Sequence, residues 1–294
     1  MTGRSVLVIG GSSGIGLATA LHMGAAGDRL TLVARDEVGL AAAEKSCREH
    51  GVRDVSTIAA DMSKRENVDR VIAQVVDERG LDVVVHTATV MGYGTVEQTP
   101  AEIFLTVVDT AIHGTFHVAQ AVLPHFRRQK RGTLVIVNSL LGSVTVPNMG
   151  AYATAKWGQR AIARTLQQEI RTEPDVHVCI VSPGSTNTPI YYQAANFLPY
   201  EARPPIPVLQ PERIAAAIAG LADNPRQHVS VPVGPTNPVV ITGYRLLPFV
   251  FDRIVGPLFK VAALTRKQQG PTDGTVLAPH AGEERVFGHW PDRS

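Results

Sequence analysis

Short apolar runs alternate with helical patterns along most of the chain. Strands are predicted at residues 5–9, 30–34, 55–59, 83–87, 133–138 and 176–181. Helices are predicted from residue 15 onward and at 38–50, 66–79, 101–129, 151–171 and 211–223. Apolar strands separated by helices are typical of a parallel sheet that is buried on both faces. We therefore predict an α/β protein with a single Rossmann-type, doubly wound parallel sheet, in which ligands bind beyond the carboxyl ends of the strands.

The pattern changes after the sixth predicted strand. Residues 183–210 are rich in proline and show little periodicity. Such a segment is too long for a simple connection, and we predict that it forms a substrate lid. Residues 239–264 are strongly apolar, and the Gly- and Pro-rich end from Gly270 is expected to be extended or loose.

These features divide the chain into two predicted parts. Residues 1–235 form the dinucleotide-binding and catalytic domain, and residues 236–294 form a C-terminal extension of apolar helices with a loose tail. The length of 294 residues suits one large α/β domain rather than two independent ones.

Composition and charge exclude several classes of function. The chain is 44% hydrophobic and 18% charged, as in an ordinary soluble protein. Its formal net charge of +2 does not indicate a nucleic-acid partner, and the basic cluster at 127–131 lies at a predicted helix end, where cations interact favourably with the helix dipole.

The cysteines and the apolar runs bear on location. Cys47 and Cys179 are far apart and lack the spacing of a metal site or a disulfide framework, so we expect a reducing, cytoplasmic setting and no metal. We expect no signal peptide, because the first strand begins at about Ser5, and no charge-free run has the length of a transmembrane helix.

A glycine-rich turn lies directly between the first strand and the first helix. Glycines let the backbone approach a diphosphate, whose charge is stabilised by the free N–H groups at the start of a helix. The predicted cofactor contacts in this turn are Gly10, Ser12, Ser13, Gly14, Ile15 and Gly16.

The end of the second strand bears on the choice of dinucleotide. An acidic residue there binds the ribose 2′-hydroxyl of NAD, whereas a cation accepts the 2′-phosphate of NADP. The sequence has Ala34 and then Arg35, whose guanidinium suits a phosphate, so NADP(H) is favoured over NAD(H). Asp36 could cap the next helix or reach a ribose, and capping is favoured. Asp61 could bond the adenine or cap the helix after it.

Tyr152 and Lys156 are four residues apart on a predicted helix and therefore share a face. An ammonium beside a phenol favours the phenolate and is expected to lower the tyrosine pKa from its usual value near 10. Such a group serves as acid or base in carbonyl reduction. Ser139 follows the fifth strand and is expected at the same edge of the sheet.

Together these motifs resemble the short-chain dehydrogenase/reductase family over about residues 4–225. The matching stretches are residues 10–16, Asp61, Ser139, Tyr152 to Lys156, and Pro183-Gly184 followed by Thr188. The resemblance implies carbonyl/alcohol interconversion with hydride transfer to or from a nicotinamide. It implies that Tyr152 exchanges the proton, Lys156 holds the nicotinamide ribose, Ser139 bonds the substrate oxygen and Thr188 contacts the carboxamide. Further cofactor contacts are expected at Met62, Ala88, Pro183 and Gly184.

The sequence departs from the family pattern at three places. The family Thr before the first glycine is Ile9, a small change. The family Asn-Asn-Ala-Gly after the fourth strand is residues 86–89, His-Thr-Ala-Thr, which puts at risk hydrogen bonds that stiffen the sheet centre. A family Asn that anchors a proton-relay water falls on Ala111, and His113 and His86 are candidates to replace it.

The extension and the lid leave alternatives open. The apolar lid residues Ile190, Tyr191, Tyr192, Phe197 and Leu198 suit a bulky apolar substrate, or they pack the lid on the core. Residues 239–264 could lie at a membrane interface, with Arg245, Arg253 and Lys260 near headgroups, pack on a neighbouring subunit, or cover the active site. A related family branch that reduces ketosphingoid lipids at membranes also carries an apolar C-terminal extension.

Two functions remain. The first is an NADPH-dependent ketone reductase or alcohol dehydrogenase, indicated by the intact Ser139, Tyr152 and Lys156. The second is a cofactor-binding protein with little turnover that acts as a sensor or scaffold, motivated by Ala111 and the altered motif at 86–89. The family resemblance also implies a homodimer or homotetramer, formed through the helices that carry Ala111 and Tyr152.

Overall fold

A parallel sheet of seven strands forms the centre of the molecule. The computed structural model describes residues 3–225, 230–279 and 285–290. In the described residues, the strands are β1 (Ser5–Ile9), β2 (Arg29–Ala34), β3 (Val55–Ala59), β4 (Val83–His86), β6 (Gly132–Val137), β7 (Val176–Pro183) and β10 (Val231–Val233). Their order is β10-β7-β6-β4-β1-β2-β3, and every neighbouring pair is parallel. The predicted doubly wound sheet is confirmed.

Helices cover both faces of this sheet. The helices in the described residues are α1 (Gly14–Ala25), α2 (Glu37–Glu49), α3 (Arg65–Arg79), α4 (Ala101–Val108), α5 (Gly114–Gln129), α6 (Gly150–Glu169), α7 (Ile190–Gln193), α8 (Pro211–Asp223), α9 (Asn237–Leu246) and α10 (Pro248–Ala263). One apolar core joins α1, α2 and α8 to one face of the sheet, and a second joins α3, α5 and α6 to the other. The β-branched and aliphatic strand residues supply the shared centre of both cores.

The long helix predicted at 101–129 is interrupted. α4 and α5 are joined by a π-helical turn at Asp109–His113, which packs on α6. π turns of this kind are rare and occur frequently at functional sites. Ala111 lies in this turn and is fully buried beside the residues around Tyr152.

The segment predicted as a lid contains α7 and two short strands, β8 (Ala195–Asn196) and β9 (Tyr200–Ala202). β8 pairs with β5 (Gly92–Tyr93), and β9 pairs with β11 (Leu264–Gln268), which follows α10. The lid is therefore held between the catalytic part of the chain and the C-terminal extension. The division at residue 235 stays a prediction.

The Gly- and Pro-rich end packs on the rest of the molecule rather than lying loose against it. No helix or strand follows Gln268 in the described residues. Val276 is nevertheless fully buried, and the backbone N–H of Thr275 donates to the oxygen of Gln193 (2.8 Å). We call residues 273–279 and 285–290 the C-terminal strap.

The structure bears on membrane spanning and on metal binding. Among the described residues, no helix combines the length and apolarity required to span a membrane. The same part of the chain holds no group of three or more His, Cys, Asp or Glu side chains arranged to bind a metal ion.

Candidate active site

One cavity of about 1180 Å³ opens at the carboxyl ends of the central strands. All the residues predicted to bind cofactor or to act in catalysis line it. They are Gly10, Ser12, Ser13, Gly14, Ile15, Gly16, Arg35, Asp61, Met62, Ala88, Ser139, Tyr152, Lys156, Pro183, Gly184 and Thr188. The fold therefore brings together residues that are up to 178 positions apart in sequence, from Gly10 to Thr188.

The glycine turn has the geometry of a phosphate cradle. Gly10 has a φ of +83° and Gly14 a φ of +51°, which favour glycine. A Cβ at Gly16 would lie 2.0 Å from the oxygen of Gly10, so no side chain fits there. The side chain of Ser13, at the N-cap of α1, makes no capping hydrogen bond within the described chain, and the first turn carries no acidic residue. These residues fit a dinucleotide diphosphate.

Thr87 holds this cradle against the fourth strand. Its Oγ1 donates to the oxygens of Ile9 (2.7 Å) and Gly10 (3.2 Å), and its backbone N–H donates to Ile9 (2.8 Å). The sequence predicted that hydrogen bonds of the sheet centre are at risk at residues 86–89. The hydroxyl of Thr87 is bonded, but the ring nitrogens of His86 and the hydroxyl of Thr89 have no hydrogen-bond partner among the described residues.

The end of β2, where the sequence predicts the choice of cofactor, is in contact with the C-terminal strap. The Arg35 guanidinium donates to the backbone oxygens of Thr275 (2.8 Å) and Val276 (3.1 Å), and burial lowers the pKa of Arg35. Asp36 caps α2, because its Oδ2 accepts from the N–H of Gly39 (2.6 Å), as favoured from the sequence. The strap also reaches the cradle, where the N–H of Gly14 donates to the oxygen of Arg285 (2.8 Å).

Asp61 does not cap a helix. Its Oδ1 accepts from the backbone N–H (2.9 Å) and the hydroxyl (2.8 Å) of Ser63, whereas α3 begins two residues later at Arg65. This bonding fixes the carboxylate at the cavity wall near Met62.

Ser139, Tyr152 and Lys156 meet at one wall of the cavity. Ser139 precedes a 3₁₀ turn at Leu140–Gly142, and its Oγ accepts from the N–H of Leu141 (3.1 Å). Tyr152 and Lys156 are both buried on α6, with the Lys156 Nζ 5.7 Å from the centre of the Tyr152 ring. The side chains of Ser139 and Tyr152 form a hydrogen bond.

The expected lowering of the Tyr152 pKa is wrong for this structure. Burial raises the pKa of Tyr152, and the hydrogen bond with Ser139 only partly opposes that shift. The reason is that Lys156 Nζ points into the protein, where it donates to the oxygens of Val137 (3.1 Å) and Gln159 (3.0 Å). Burial also lowers the pKa of Lys156 to about 7, since an ammonium is costly to remove from water.

The two histidines considered for proton relay have unsuitable positions. His113 is 57% exposed and pairs with Asp109 (3.0 Å), away from the cavity wall. His86 is fully buried, and its ring nitrogens have no hydrogen-bond partner among the described residues. Burial and then the charge of Lys156 lower the pKa of His86 to about 3, so the ring stays neutral near neutral pH.

Comparison with known proteins agrees with this geometry. The family model for the short chain dehydrogenase matches residues 4–196, which is more than half of the chain. The chain belongs to the short-chain dehydrogenase family. This is a family of oxidoreductases, and the family predicted from the sequence is thereby confirmed.

Several relatives of this short-chain dehydrogenase are informative. The 3-ketodihydrosphingosine reductase of Bos taurus is 30% identical over 226 residues, which cover 74% of this chain and 68% of that protein. The uncharacterized oxidoreductase YxnA of Bacillus subtilis is 26% identical over 276 residues, covering 92% and 77%. A metagenomic short-chain oxidoreductase solved in complex with NADP superposes with a TM-score of 0.66 at 26% identity, covering 79% of this chain and 96% of that one.

The structure of this short-chain dehydrogenase also shows site residues that the sequence reasoning missed. Tyr93 is fully buried at the cavity wall, and burial raises its pKa well above the usual value. Gln159 bonds Lys156 directly. The available signal for Gln159 was a polar residue one turn after Lys156 on the same predicted helix, whereas nothing in the local sequence marks Tyr93.

The extension of this short-chain dehydrogenase covers one side of the cavity. Inner residues of α9 and α10 line it, among them Val240, Gly243, Val255 and Phe259. The Phe259 ring lies 6.4 Å from the ring of Tyr93, centre to centre. Three alternatives were open for residues 239–264. The inner faces of α9 and α10 support the one in which these residues cover the candidate active site.

Proposed function

We propose that this chain is an NADP(H)-dependent oxidoreductase that interconverts a ketone or aldehyde and an alcohol. The observation that carries the proposal is the convergence of Ser139, Tyr152 and Lys156 on a cavity that also contains the glycine cradle. Membership of an oxidoreductase family and the name of the bovine relative, a ketone reductase, support it.

The roles of the side chains follow from their chemistry. When bound, NADP(H) supplies or accepts the hydride. Tyr152 donates the proton to the carbonyl oxygen or accepts it from the alcohol, and Ser139 orients that oxygen. Lys156 holds the nicotinamide ribose, and Thr188 contacts the carboxamide. Because burial raises the pKa of Tyr152, its phenol is protonated at neutral pH, which suits reduction.

Replacing Tyr152 with Phe tests this function. The change removes one hydroxyl, and we expect a loss of at least about 100-fold in kcat for NADPH-dependent ketone reduction, the usual contribution of a proton-transfer group. The measurement is NADPH consumption across a panel of apolar ketones. Tyr200→Phe, at an exposed tyrosine, is the matched control. Activity that survives in Tyr152→Phe contradicts the mechanism, and tight NADPH binding without turnover of any ketone favours the sensor or scaffold.

The choice of NADP(H) over NAD(H) is supported by Arg35 at the end of β2. In the structure its guanidinium donates to neutral strap carbonyls, and a 2′-phosphate would exchange those bonds for stronger, charge-assisted ones. Asp36 does not compete, because its carboxylate caps α2. The NADP complex of the metagenomic relative supports the same choice.

We propose an apolar substrate and peripheral membrane contact for a cytoplasmic enzyme. The cavity wall formed by α9 and α10 is mainly aliphatic, and the outer faces of the same helices are exposed and apolar, with Phe249 80% exposed. Arg245, Arg253 and Lys260 flank this face. The sphingoid substrate in the name of the bovine relative is of this apolar kind. Sedimentation with anionic vesicles, compared with self-association in their absence, tests the membrane contact.

We propose a homodimer or homotetramer formed through the outer faces of α4, α5 and α6. Leu105, Phe116 and Trp157 expose large apolar side chains on these helices. Surface apolar groups on neighbouring helices are typical of subunit interfaces. Analytical ultracentrifugation of the protein and of a Phe116→Glu variant distinguishes this interface from association through α10.

A further inference from the structure

A buried hydrogen-bond network lies behind Lys156. Its Nζ donates to Gln159 Oε1 (3.0 Å), and the Nε2 of Gln159 donates to the hydroxyl of Thr115 on α5 (2.9 Å). Asn138, just after β6, donates from Nδ2 to the same Gln159 oxygen (3.1 Å). All four side chains are buried, and Gln159 is fully so.

The position of Gln159 links the reactive helix to its neighbours. It lies three residues after Lys156 on α6 and therefore on the same face. A buried amide is costly unless its polar atoms are bonded, and here both the oxygen and the nitrogen have partners. The amide is thus anchored on α5 by its nitrogen and presents its oxygen to the ammonium of Lys156.

We propose that Gln159 is a positioning residue for Lys156, holding its ammonium in this inward position, 5.7 Å from the centre of the Tyr152 ring, through a neutral acceptor. The inference rests on the proposed function of Tyr152 and Lys156. The Gln159 amide fixes the direction of the Nζ–H bonds of Lys156. Because the amide carries no negative charge, it does not form an ion pair with the ammonium.

The neutrality of the Gln159 amide matters because of the groups that surround Lys156. The titratable groups that face Lys156 are Tyr152 on its own helix and His86 on β4, while α5 and β6 present Thr115 and Asn138. None of the described residues forms a salt bridge with Lys156, and its pKa is lowered to about 7 by burial. A carboxylate at position 159 would place a negative charge where the amide oxygen now accepts the hydrogen bond from Lys156.

The test compares Gln159→Glu with Gln167→Glu. Gln167 is also buried on α6, and its Nε2 donates to the oxygen of Val178 (2.9 Å), away from Lys156. The first readout is the pKa of Lys156 in the protein without cofactor, followed by NMR of ¹³C-labelled lysine and assigned with Lys156→Arg. The second is the pH profile of NADPH-dependent ketone reduction.

We expect Gln159→Glu to raise the pKa of Lys156 by about 1–3 units, the usual effect of an opposite charge at contact distance. The alkaline decline of ketone reduction should move to higher pH by a similar amount. Gln167→Glu should leave both unchanged. A Lys156 pKa that is the same in both variants overturns the proposal, even where the pH profile moves.

Thr115→Val provides a second variant that adds no charge. It removes the anchor of the Gln159 amide but keeps its oxygen, so we expect kcat to fall by about 3- to 10-fold, the equivalent of one hydrogen bond, with little change in the KM for the ketone. An unchanged kcat would also overturn the proposal. The NMR measurement needs no turnover. A protein without any ketone reductase activity would refute the proposed function, while the pKa of Lys156 in the variants would still decide the role of Gln159.

Discussion

The ammonium of Lys156 is buried, and the free-energy cost of burying this charge depends on pH. Its folded pKa of about 7 lies below the usual value of 10.5, so between these pH values the unfolded chain binds a proton that the folded chain does not. The stability of the protein therefore rises with pH across this window, at about 1.4 kcal/mol per pH unit from this group. Below pH 7 the penalty is complete, and above pH 10.5 it is absent.

Replacing Lys156 with Met should reveal this penalty. We expect the variant to gain most stability relative to the wild type below pH 7, and the gain to shrink steadily toward pH 10.5. Urea unfolding of both proteins at a series of pH values measures it. Lys45→Met on α2, where the lysine is exposed, serves as the control and should show no such trend. A gain that grows with pH would mean that the lysine is not buried as an isolated cation.

Under the proposed function, Arg35 favours NADP(H) over NAD(H). Its replacement by Ser removes the cation at the end of β2, and we expect NADPH to bind about 10- to 100-fold more weakly while NADH binding changes little, since hydrogen bonds to charged groups contribute roughly 1.5–3 kcal/mol. Fluorescence titration gives both dissociation constants. Arg29→Ser, at the opposite end of the same strand, is the matched control. Equal weakening for NADPH and NADH would remove the argument for NADP.

The residue scale is also where sequence reasoning has its clearest limit. Spacing alone places Tyr152 and Lys156 on one face of a helix, and the structure agrees. The direction of the Tyr152 pKa shift does not follow from spacing. It depends on how much water the surrounding lid and extension exclude and on whether the Lys156 ammonium turns toward the phenol or toward Gln159.

At the scale of elements, the hydroxyl of Thr87 braces the turn between β1 and α1. We expect Thr87→Val, which removes that hydroxyl at nearly constant volume, to weaken NADPH binding and to cost about 1–2 kcal/mol of stability, because its hydrogen bonds to Ile9 and Gly10 are lost. Calorimetry and fluorescence titration measure the two effects.

Thr31→Val is the control for this prediction. The Thr31 hydroxyl lies 3.2 Å from the hydroxyl of Ser56 and pairs with it between β2 and β3. This pair is not part of the cradle. Thr31→Val should lower stability without altering the affinity for NADPH. If both variants bind NADPH as the wild type does, the shape of the cradle does not depend on Thr87.

Strands, helices and their order were predictable because local patterns determine them. Predicted bounds agree with the structure to within a few residues, as for Val55–Ala59 and Pro211–Asp223. The π-helical turn at Asp109–His113 was not predictable. Its residues continue the helical pattern, and the wider turn depends on packing against α6, which a single-sequence pattern does not contain.

At the scale of the whole molecule, the C-terminal strap crosses the mouth of the dinucleotide site. It contacts Arg35 at one end and Gly14 near the middle. At the other end the N–H of Gly288 donates to the oxygen of Asn187 (3.2 Å), and the Trp290 ring meets Tyr191 edge-on at 6.5 Å between centres. These contacts join residues that are about a hundred positions or more apart, so no local pattern indicates them.

Ending the chain after Pro279 should accelerate cofactor exchange. The truncation keeps Thr275 and Val276 but removes the part of the strap that contacts Gly14, Asn187 and Tyr191. We expect both the association and the dissociation rate of NADPH to increase several-fold, because the strap no longer has to open before NADPH binds or leaves. Stopped-flow fluorescence measures both rates.

Two single-residue variants separate this effect from a general loss of structure. Trp290→Ala should accelerate exchange in the same direction, whereas Trp157→Ala, a tryptophan on the outer face of α6, should not. Exchange rates that equal those of the wild type in the truncated protein would show that the strap does not limit access to the site.

The π-helical turn has a consequence for how this chain tolerates changes in length. A π turn, bonded i→i+5, holds one residue more than an α turn. Deleting one residue between Asp109 and His113 should therefore restore an ordinary α-helix and leave Ile103 and Val107 in the cluster that contains Tyr152. The same deletion within α5 would instead rotate the flanking turns by about 100°. Alignments that count positions across this segment therefore assign different faces of the helix, depending on the side from which the count begins.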